Sequence, residues 1–403
     1  MTTNSNIDDN LLADSLNKYF GYHEFRSFQK EVIENTILGN DSLVILPTGK
    51  GKSLCFQLAA LILEGMGVVV SPLIALMKDQ VDNLVSKGIA AVALNSSIGV
   101  KKYNRVKENC LKGEIKILYI SPETLIKEKN EFLKKLNINL FAIDEAHSIS
   151  QWGHDFRPDY MRLCTLHEDF PHVPIMALTA TATRKTKEDI VEKLRLTNVH
   201  LFSDSVDRPN IYFSVYKNKD SKFRIDRISE LYKKYKWQTG IVYCNTRRIA
   251  QSVANKLNYR GCHATVYHAG LTPKERRQVQ ESFTQGTAGI VCATIAFGMG
   301  IDKPDIRWIV HYNTPKSIEQ LYQEVGRAGR DGKASESILF YNNDDLKLLL
   351  HFAELSGQEI INRQKISKIT EYAELKSCRR AFLLDYFDTD HEMQCSNCDN
   401  CKS

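Results

Sequence analysis

At 403 residues the chain is too long for one ordinary hydrophobic core, and two or three domains are expected. Its 43% hydrophobic and 25% charged residues place it among soluble globular proteins. The apolar runs fall short of the roughly 20 residues that span a bilayer, and the start MTTNSNIDDN lacks the basic lead and apolar middle of a secretory signal. The expectation is an intracellular protein without membrane association, whose net charge of +6 allows a nucleic-acid partner without demanding one.

Residues 1–10 are polar and predict a frayed lead. An apolar repeat at Leu11, Leu12, Leu16 and Phe20 predicts a helix that Gly21 stops, and residues 25–37 predict another. Residues 44–58, VILPTGKGKSLCFQL, then read as strand, glycine-bearing turn and helix, the context of a phosphate cradle. Backbone N–H groups of Thr48, Gly49, Lys50, Gly51 and Lys52 would converge at the positive end of that helix. Lys52 would reach the terminal phosphates, and Ser53 would offer its hydroxyl to magnesium. The full pattern asks for glycine at position 46, where Leu46 stands, so only the half GKGKS is met. A ligand-free strand-to-helix turn is the competing reading.

Downstream, strand-like runs at 68–71, 91–94, 117–121, 140–144 and 175–178 alternate with helical runs at 75–87, 100–111 and 184–194. This alternation predicts a parallel sheet covered on both faces. A polar, proline-bearing stretch at 203–210, SDSVDRPN, reads as a linker. Strands at 211–216, 240–243, 264–267, 290–293, 308–311 and 337–341 then alternate with helices at 222–235, 247–257, 273–285 and 317–325, a second α/β layer with no phosphate loop of its own. Beyond residue 342 the pattern turns helical, at 344–355 and 362–373, and ends in cysteines.

The run LFAIDEAH at 140–147 delivers Asp144 to the carboxyl end of an apolar strand, where ligands of open α/β sheets bind. Asp144 is placed to hold magnesium and Glu145 to orient or deprotonate water. A buried Asp–Glu pair repels itself unless a cation is near, which is a reason to expect the metal. Of the ten cysteines, six sit in apolar contexts that suit packing. Cys378, Cys395, Cys398 and Cys401 offer four thiolates, the count a closed tetrahedral zinc site requires, with disulfide pairing as the competitor.

With these motifs the sequence resembles the superfamily-2 helicases, and more narrowly the RecQ family of DNA helicases, from Leu16 to Cys401. The resemblance is carried by FRSFQKEVI, LPTGKGKS, VVVSPLIALMKDQV, DEAHSISQWGHDFRPDY, ALTATAT, GIVYCNTRR, YHAGL, ATIAFGMGIDKPDIR and QLYQEVGRAGRDG, in that order. It implies two tandem RecA-like parallel-sheet α/β domains with ATP and magnesium in their cleft, followed by a small helical zinc-binding module. The expected boundaries are a disordered 1–10, domains at 11–204 and 205–343, and the module at 344–403. It also implies that Gln29 reads the adenine edge, with Arg26 beside it and Tyr22 stacking on the ring, and that Arg327 and Arg330 reach the γ-phosphate. Gln323 and Asp302 would join that face. His147 would relay nucleotide state, since no second metal ligand is spaced for it.

The aromatic-rich loop at 148–160 couples DNA binding to ATP hydrolysis in RecQ-like proteins, which makes Trp152, His154, Phe156 and Arg157 candidate DNA contacts. Aromatic faces stack on the bases of a single strand. Ser71, Lys78, Thr179, Thr181 and Thr294 are expected at phosphates. The matching cysteines imply one structural zinc. Lys50 stands where many relatives have glycine, and its side chain is expected in solvent; Asp388 also replaces a common glycine. The winged-helix and HRDC modules of many RecQ proteins are missing from the sequence, which puts efficient strand separation in question and leaves room for a protein partner that supplies duplex binding. The function this resemblance implies is that of a monomeric ATP-dependent DNA helicase moving 3′ to 5′ on single-stranded DNA and unwinding duplex DNA in recombination and repair. The alternatives are a DNA-stimulated translocase with little unwinding, a non-hydrolysing nucleic-acid scaffold and an RNA helicase.

Overall fold

A computed structural model describes residues 9–153, 155–294, 297 and 303–402. His154, Asp302, most of the polar lead and part of the ATIAFGMGIDKPDIR run lie outside the described residues. The chain divides between Ser205 and Val206 into two units, each built on its own sheet.

The first unit has seven strands, β1 (Ser42–Ile45), β2 (Met66–Val70), β3 (Ala91–Leu94), β4 (Ile117–Ile120), β5 (Ile138–Ile143), β6 (Ile175–Thr179) and β7 (His200–Ser203), in the order β3-β4-β2-β5-β6-β1-β7. Every pairing is parallel. Successive residues of a strand feed opposite cores: Val68 and Val70 enter one apolar cluster, and Val69 enters the other. A strand buried on both faces reads as an unbroken apolar run, which is why these strands were visible in the sequence. β7 was not expected. It pairs only with β1 at the sheet edge and exposes His200, Leu201 and Ser203, so it carries no such run.

The second unit has six parallel strands, β8 (Ile211–Lys217), β9 (Gly240–Tyr243), β10 (Ala264–Tyr267), β11 (Ile290–Ala293), β12 (Trp308–His311) and β13 (Ser335–Tyr341), ordered β10-β11-β9-β12-β13-β8. Helices Asn343–Glu354, Glu359–Glu374 and Arg379–Tyr386 follow. Ile369, Tyr372 and Leu383 of these helices share a core with Phe213 of β8 and Leu339 of β13. The last residues cover the open edge of β8. The Asp399 N–H donates to the Phe213 carbonyl at 2.9 Å, and the Asp399 carboxylate accepts from the Val215 N–H at 2.8 Å. An otherwise exposed row of strand donors and acceptors is satisfied in this way. Asp388 adopts φ +58°, the left-handed conformation that a glycine would take without strain.

Candidate functional site

In the first unit, Ile45 of β1 pairs with Thr179 of β6, and Ala177 of β6 pairs with Ile143 of β5. The phosphate loop, residues 179–183 and Asp144 therefore leave three adjacent strands at one edge. Gly49 and Gly51 have φ of +89° and +83°, and Gly51 caps the helix Lys52–Ile62. That helix has no acidic residue in its first turn, so its unpaired N–H groups stay available to an anion beside Lys52 and Ser53. Thr48 is partly buried, and Gly49, Lys50 and Gly51 are exposed.

Gln29 is 2% exposed and grips this loop. Its Nε2 donates to the carbonyls of Lys50 and Gly51 at 3.1 and 3.2 Å, and its Oε1 accepts the Arg26 N–H at 2.9 Å. Tyr22 and Arg26 are exposed beside it. The Lys50 ammonium is half exposed, yet it lies 3.6 Å from the Asp204 carboxylate, which also accepts from the Ser27 hydroxyl at 3.1 Å. The side chain stays at the surface, as expected, with a carboxylate partner that was not foreseen. Asp204 was missed because it lies in a stretch read only as linker.

Past β5, the Asp144 carboxylate accepts the Glu145 N–H at 3.0 Å. Burial, and then the Glu145 charge, hold its pKa above the usual carboxylate range, opposed by Lys52. Glu145 adopts φ +51°, a conformation that costs a non-glycine residue energy and that clusters at functional sites. Its Oε2 lies 3.3 Å from Nδ1 of His147, which is 2.9 Å from the Thr179 hydroxyl. The Thr179 hydroxyl in turn donates to the Thr181 carbonyl at 3.1 Å. Burial pushes the His147 pKa down, which favours the neutral ring. Carboxylate, imidazole and the end of β6 thus form one network.

Thr179 is fully buried and Ser71 is 1% exposed, so neither presents its side chain at the surface in this conformation. Thr179 is the last residue of β6 and Ser71 follows β2, so both stand at the sheet rim, but beneath the covering layer. Lys78 is exposed and paired with Asp82 at 3.0 Å, while Thr181 and Thr294 are partly exposed. In the aromatic loop, Trp152 and Phe156 are half-buried. The Lys185 ammonium sits 3.7 Å from the centre of the Trp152 ring, a cation–π contact not foreseen from sequence. Arg157 donates to the Asp155 carboxylate and to the Pro72 carbonyl, both at 3.0 Å, which ties the loop to the end of β2.

In the second unit Gln323 is half-buried on the helix Ile318–Val325, and Arg327 and Arg330 follow in the loop beyond it. Arg327 is 6% exposed and bonds the phenol of Tyr243 at the end of β9; burial raises the pKa of that phenol and Arg327 opposes the rise.

The Sγ atoms of Cys378, Cys395, Cys398 and Cys401 lie within 4.8 Å of one another. A tetrahedral zinc tetrathiolate places its sulfurs about 3.8 Å apart, so the set fits. All ten cysteines are free, which removes the disulfide alternative. Backbone N–H groups of Ala381 and Asn397 donate to the sulfurs of Cys378 and Cys395 at 3.4 and 3.3 Å, bonds that orient a thiolate ligand and spread its charge.

A phosphate loop after β1 and an Asp–Glu pair after β5, on the two strands that flank β6 in a parallel sheet, followed by a second parallel sheet, define a helicase core. Residues 26–190 match the family model for DEAD/DEAH box helicases, and residues 224–332 match the helicase conserved C-terminal domain. Residues 343–402 match the RecQ zinc-binding domain. The chain belongs to the RecQ family of helicases. It is 46% identical over 96% of its length to an ATP-dependent DNA helicase RecQ of Pasteurella multocida, and it spans 62% of that relative. It is 40% identical over 92% of its length to the probable ATP-dependent DNA helicase RecS of Bacillus subtilis, covering 76% of it. In fold it resembles the helicase Lhr of Mycobacterium smegmatis, with a TM-score of 0.66 at 19% identity over 90% of this chain and 57% of that one. Among the described residues no helix is long and apolar enough to cross a membrane.

Proposed function

We propose that the chain is an ATP-dependent DNA helicase that moves 3′ to 5′ along single-stranded DNA, separates duplexes and serves recombination and repair inside the cell as a monomer. The observation that carries this reading is the convergence of the phosphate loop, Asp144–Glu145 and the His147–Thr179 network at the ends of β1, β5 and β6. Lys52 and the loop N–H groups bind the phosphates, Ser53 and Asp144 hold magnesium, and Glu145 positions the attacking water. Magnesium, when bound, neutralises phosphate charge and relieves the repulsion that raises the Asp144 pKa. Arg327 and Arg330 meet the γ-phosphate in the ATP state, and Tyr22, Arg26 and Gln29 meet the base. For Gln29 this requires exchanging a bond it now makes to the loop.

Residues 11–204 and 205–343 are the motor domains, and 344–403 form a module held by one structural zinc. Trp152, Phe156 and Arg157 contact the strand, and displacement of Lys185 from the Trp152 ring frees that face for a base. The test is ATP turnover with and without single-stranded DNA, alongside unwinding of duplexes with a 3′ or a 5′ tail. Turnover indifferent to DNA sinks the motor reading. Turnover that responds to DNA without strand separation leaves a translocase, and stimulation by ribose strands alone points to RNA.

A further inference from the structure

The last turn of the helix Ile318–Val325 is closed by backbone N–H groups, Gly326 donating to the Tyr322 carbonyl at 2.9 Å and Ala328 to the Val325 carbonyl at 2.9 Å, and the loop that follows carries Arg327 and Arg330. The carbonyls of that loop lie outside the helix and need donors of their own. Here one guanidinium collects the carbonyls just beyond the helix. Arg208, more than a hundred positions earlier, donates to the carbonyl of Gly326 at 3.0 Å, of Ala328 at 2.7 Å and of Gly329 at 2.8 Å. Asn210 adds bonds from its Nδ2 to the carbonyls of Gly329 and Lys333, both at 2.9 Å. Gly329 adopts φ +54°, and a Cβ there would stand 2.4 Å from that same Nδ2, so the close approach requires glycine. Tyr322 on the helix donates its hydroxyl to the Val206 carbonyl.

The opposite side of the segment is held just as firmly. Arg380, two residues after Cys378 and 6% exposed, donates to the Asp207 carboxylate at 3.1 Å and to the carbonyls of Pro209 and Ile211 at 3.3 and 2.7 Å. Asn397, between Cys395 and Cys398, donates to the same two carbonyls at 3.0 and 3.3 Å. Residues 206–211 therefore lie between the arginine loop and the cysteine module, bonded to both. A segment with only a connecting role needs neither set of bonds.

We propose that Arg208 is a positioning residue for Arg327 and Arg330, and that Arg380 keeps it in place, so the cysteine module sets the geometry of the arginine loop through residues 206–211. The catalytic part of this rests on the helicase reading; the bracing does not. A planar fork spanning several carbonyls has no equivalent in lysine, whose single ammonium replaces at most part of it.

The experiment compares the wild type with Arg208→Ala, Arg208→Lys, Arg327→Ala and the Arg208→Ala/Arg327→Ala pair. Amide hydrogen exchange over residues 326–332 reads the brace without reference to activity, and single-turnover ATP hydrolysis with single-stranded DNA reads its consequence. Arg208→Ala is expected to speed exchange in that loop while the β12 and β13 amides keep their protection. It should also slow hydrolysis by about 10- to 100-fold, with KM for ATP and zinc content within about twofold of wild type. Arg208→Lys should fall between the two and serves where the alanine variant folds poorly. In the Arg327→Ala background, losing Arg208 should cost less than it does in the wild type, because one of the two groups through which it acts is already gone. Unchanged exchange at 326–332, or a full further loss in the double variant, would overturn the proposal. If the wild type shows no DNA-stimulated turnover, the helicase reading fails, and the exchange data alone decide the brace.

Discussion

The amide nitrogen of Gln29 stands 3.2 Å from the carbonyl oxygen of Gly51, so a residue of the helix Gln29–Ile37 fixes the turn that opens the phosphate loop helix. A Cβ added at Gly51 would lie 2.4 Å from that nitrogen, and the backbone there has φ +83°. Gly51→Ala therefore meets both a left-handed strain and a clash. The expected outcome is a lower melting temperature and nucleotide affinity reduced by at least about tenfold, checked by calorimetry and by binding of a fluorescent ATP analogue. Combining it with Gln29→Ala should recover part of the stability by removing the clash, leaving the backbone strain. No recovery would show that Gln29 does not define the loop.

Glu145→Gln separates binding from chemistry. The substitution keeps the shape of the side chain and removes a negative charge that raises the Asp144 pKa. ATP affinity should be retained or slightly improved, while hydrolysis falls by roughly 100-fold or more. Lys52→Ala should weaken both, because its ammonium faces the phosphates and offsets the Asp144–Glu145 repulsion. Equilibrium binding and single-turnover hydrolysis distinguish the two variants. A Glu145→Gln protein that hydrolyses ATP at the wild-type rate would remove Glu145 from the chemistry.

What the sequence revealed and what it hid follow from the range of the interactions involved. Val68, Val69 and Val70 announce β2 because both faces of that strand are buried, and GKGKS and DEAH announce their loops because the chemistry needs contiguous residues. The rim positions of Thr179 and Ser71 were legible, but their burial was not, because position along a strand does not tell where the covering layer ends. The stretch DRPN at 207–210 looked like a linker because its partners lie 118 or more positions away at the arginine loop and 169 or more at Arg380. The helix Arg379–Tyr386 was passed over beside its cysteines, although buried Leu383 and Leu384 carry its apolar face. Local pattern has no access to such pairings.

Asp399 and the cysteines are predicted to fail differently. Cys398→Ser removes one of four thiolates and should lower zinc content, measured by elemental analysis, together with solubility. Asp399→Ala leaves the four sulfurs intact but strips the Val215 N–H of its acceptor and leaves Arg379, 3% exposed, without its carboxylate. Asp399 is itself 24% exposed and Arg379 keeps its bond to the Tyr372 carbonyl, so the loss is on the order of 1 to 2 kcal/mol, below that for a fully buried pair. Zinc should therefore remain near wild type while the melting temperature falls. Loss of zinc in Asp399→Ala would mean that the edge contact and the metal site form one cooperative unit.

Lys365 supplies a pH signature. It is 9% exposed on the helix Glu359–Glu374, where burial lowers its pKa from the usual 10.5 to about 8, opposed by Glu319 and assisted by Lys316. Glu319 also accepts the Tyr386 hydroxyl at 2.6 Å, so its charge is shared with a second partner. Because the folded pKa lies below the unfolded one, the unfolded chain binds more protons between about pH 8 and 10.5, and this group makes stability rise with pH across that window. The contribution is complete above the unfolded pKa and is lost as pH falls through the folded value, so at pH 7 the buried ammonium is a net cost. Lys365→Met keeps the packing of the stem without the charge. It should raise the melting temperature at pH 7 by an amount worth about 1 to 3 kcal/mol, and the advantage should shrink as pH rises from about 8 and vanish only above the unfolded value of 10.5. Subtracting the wild-type profile from that of the variant removes every other titration common to the two proteins. A difference that stays constant across the range would show that Lys365 carries its charge at no cost, with Glu319 fully compensating its burial.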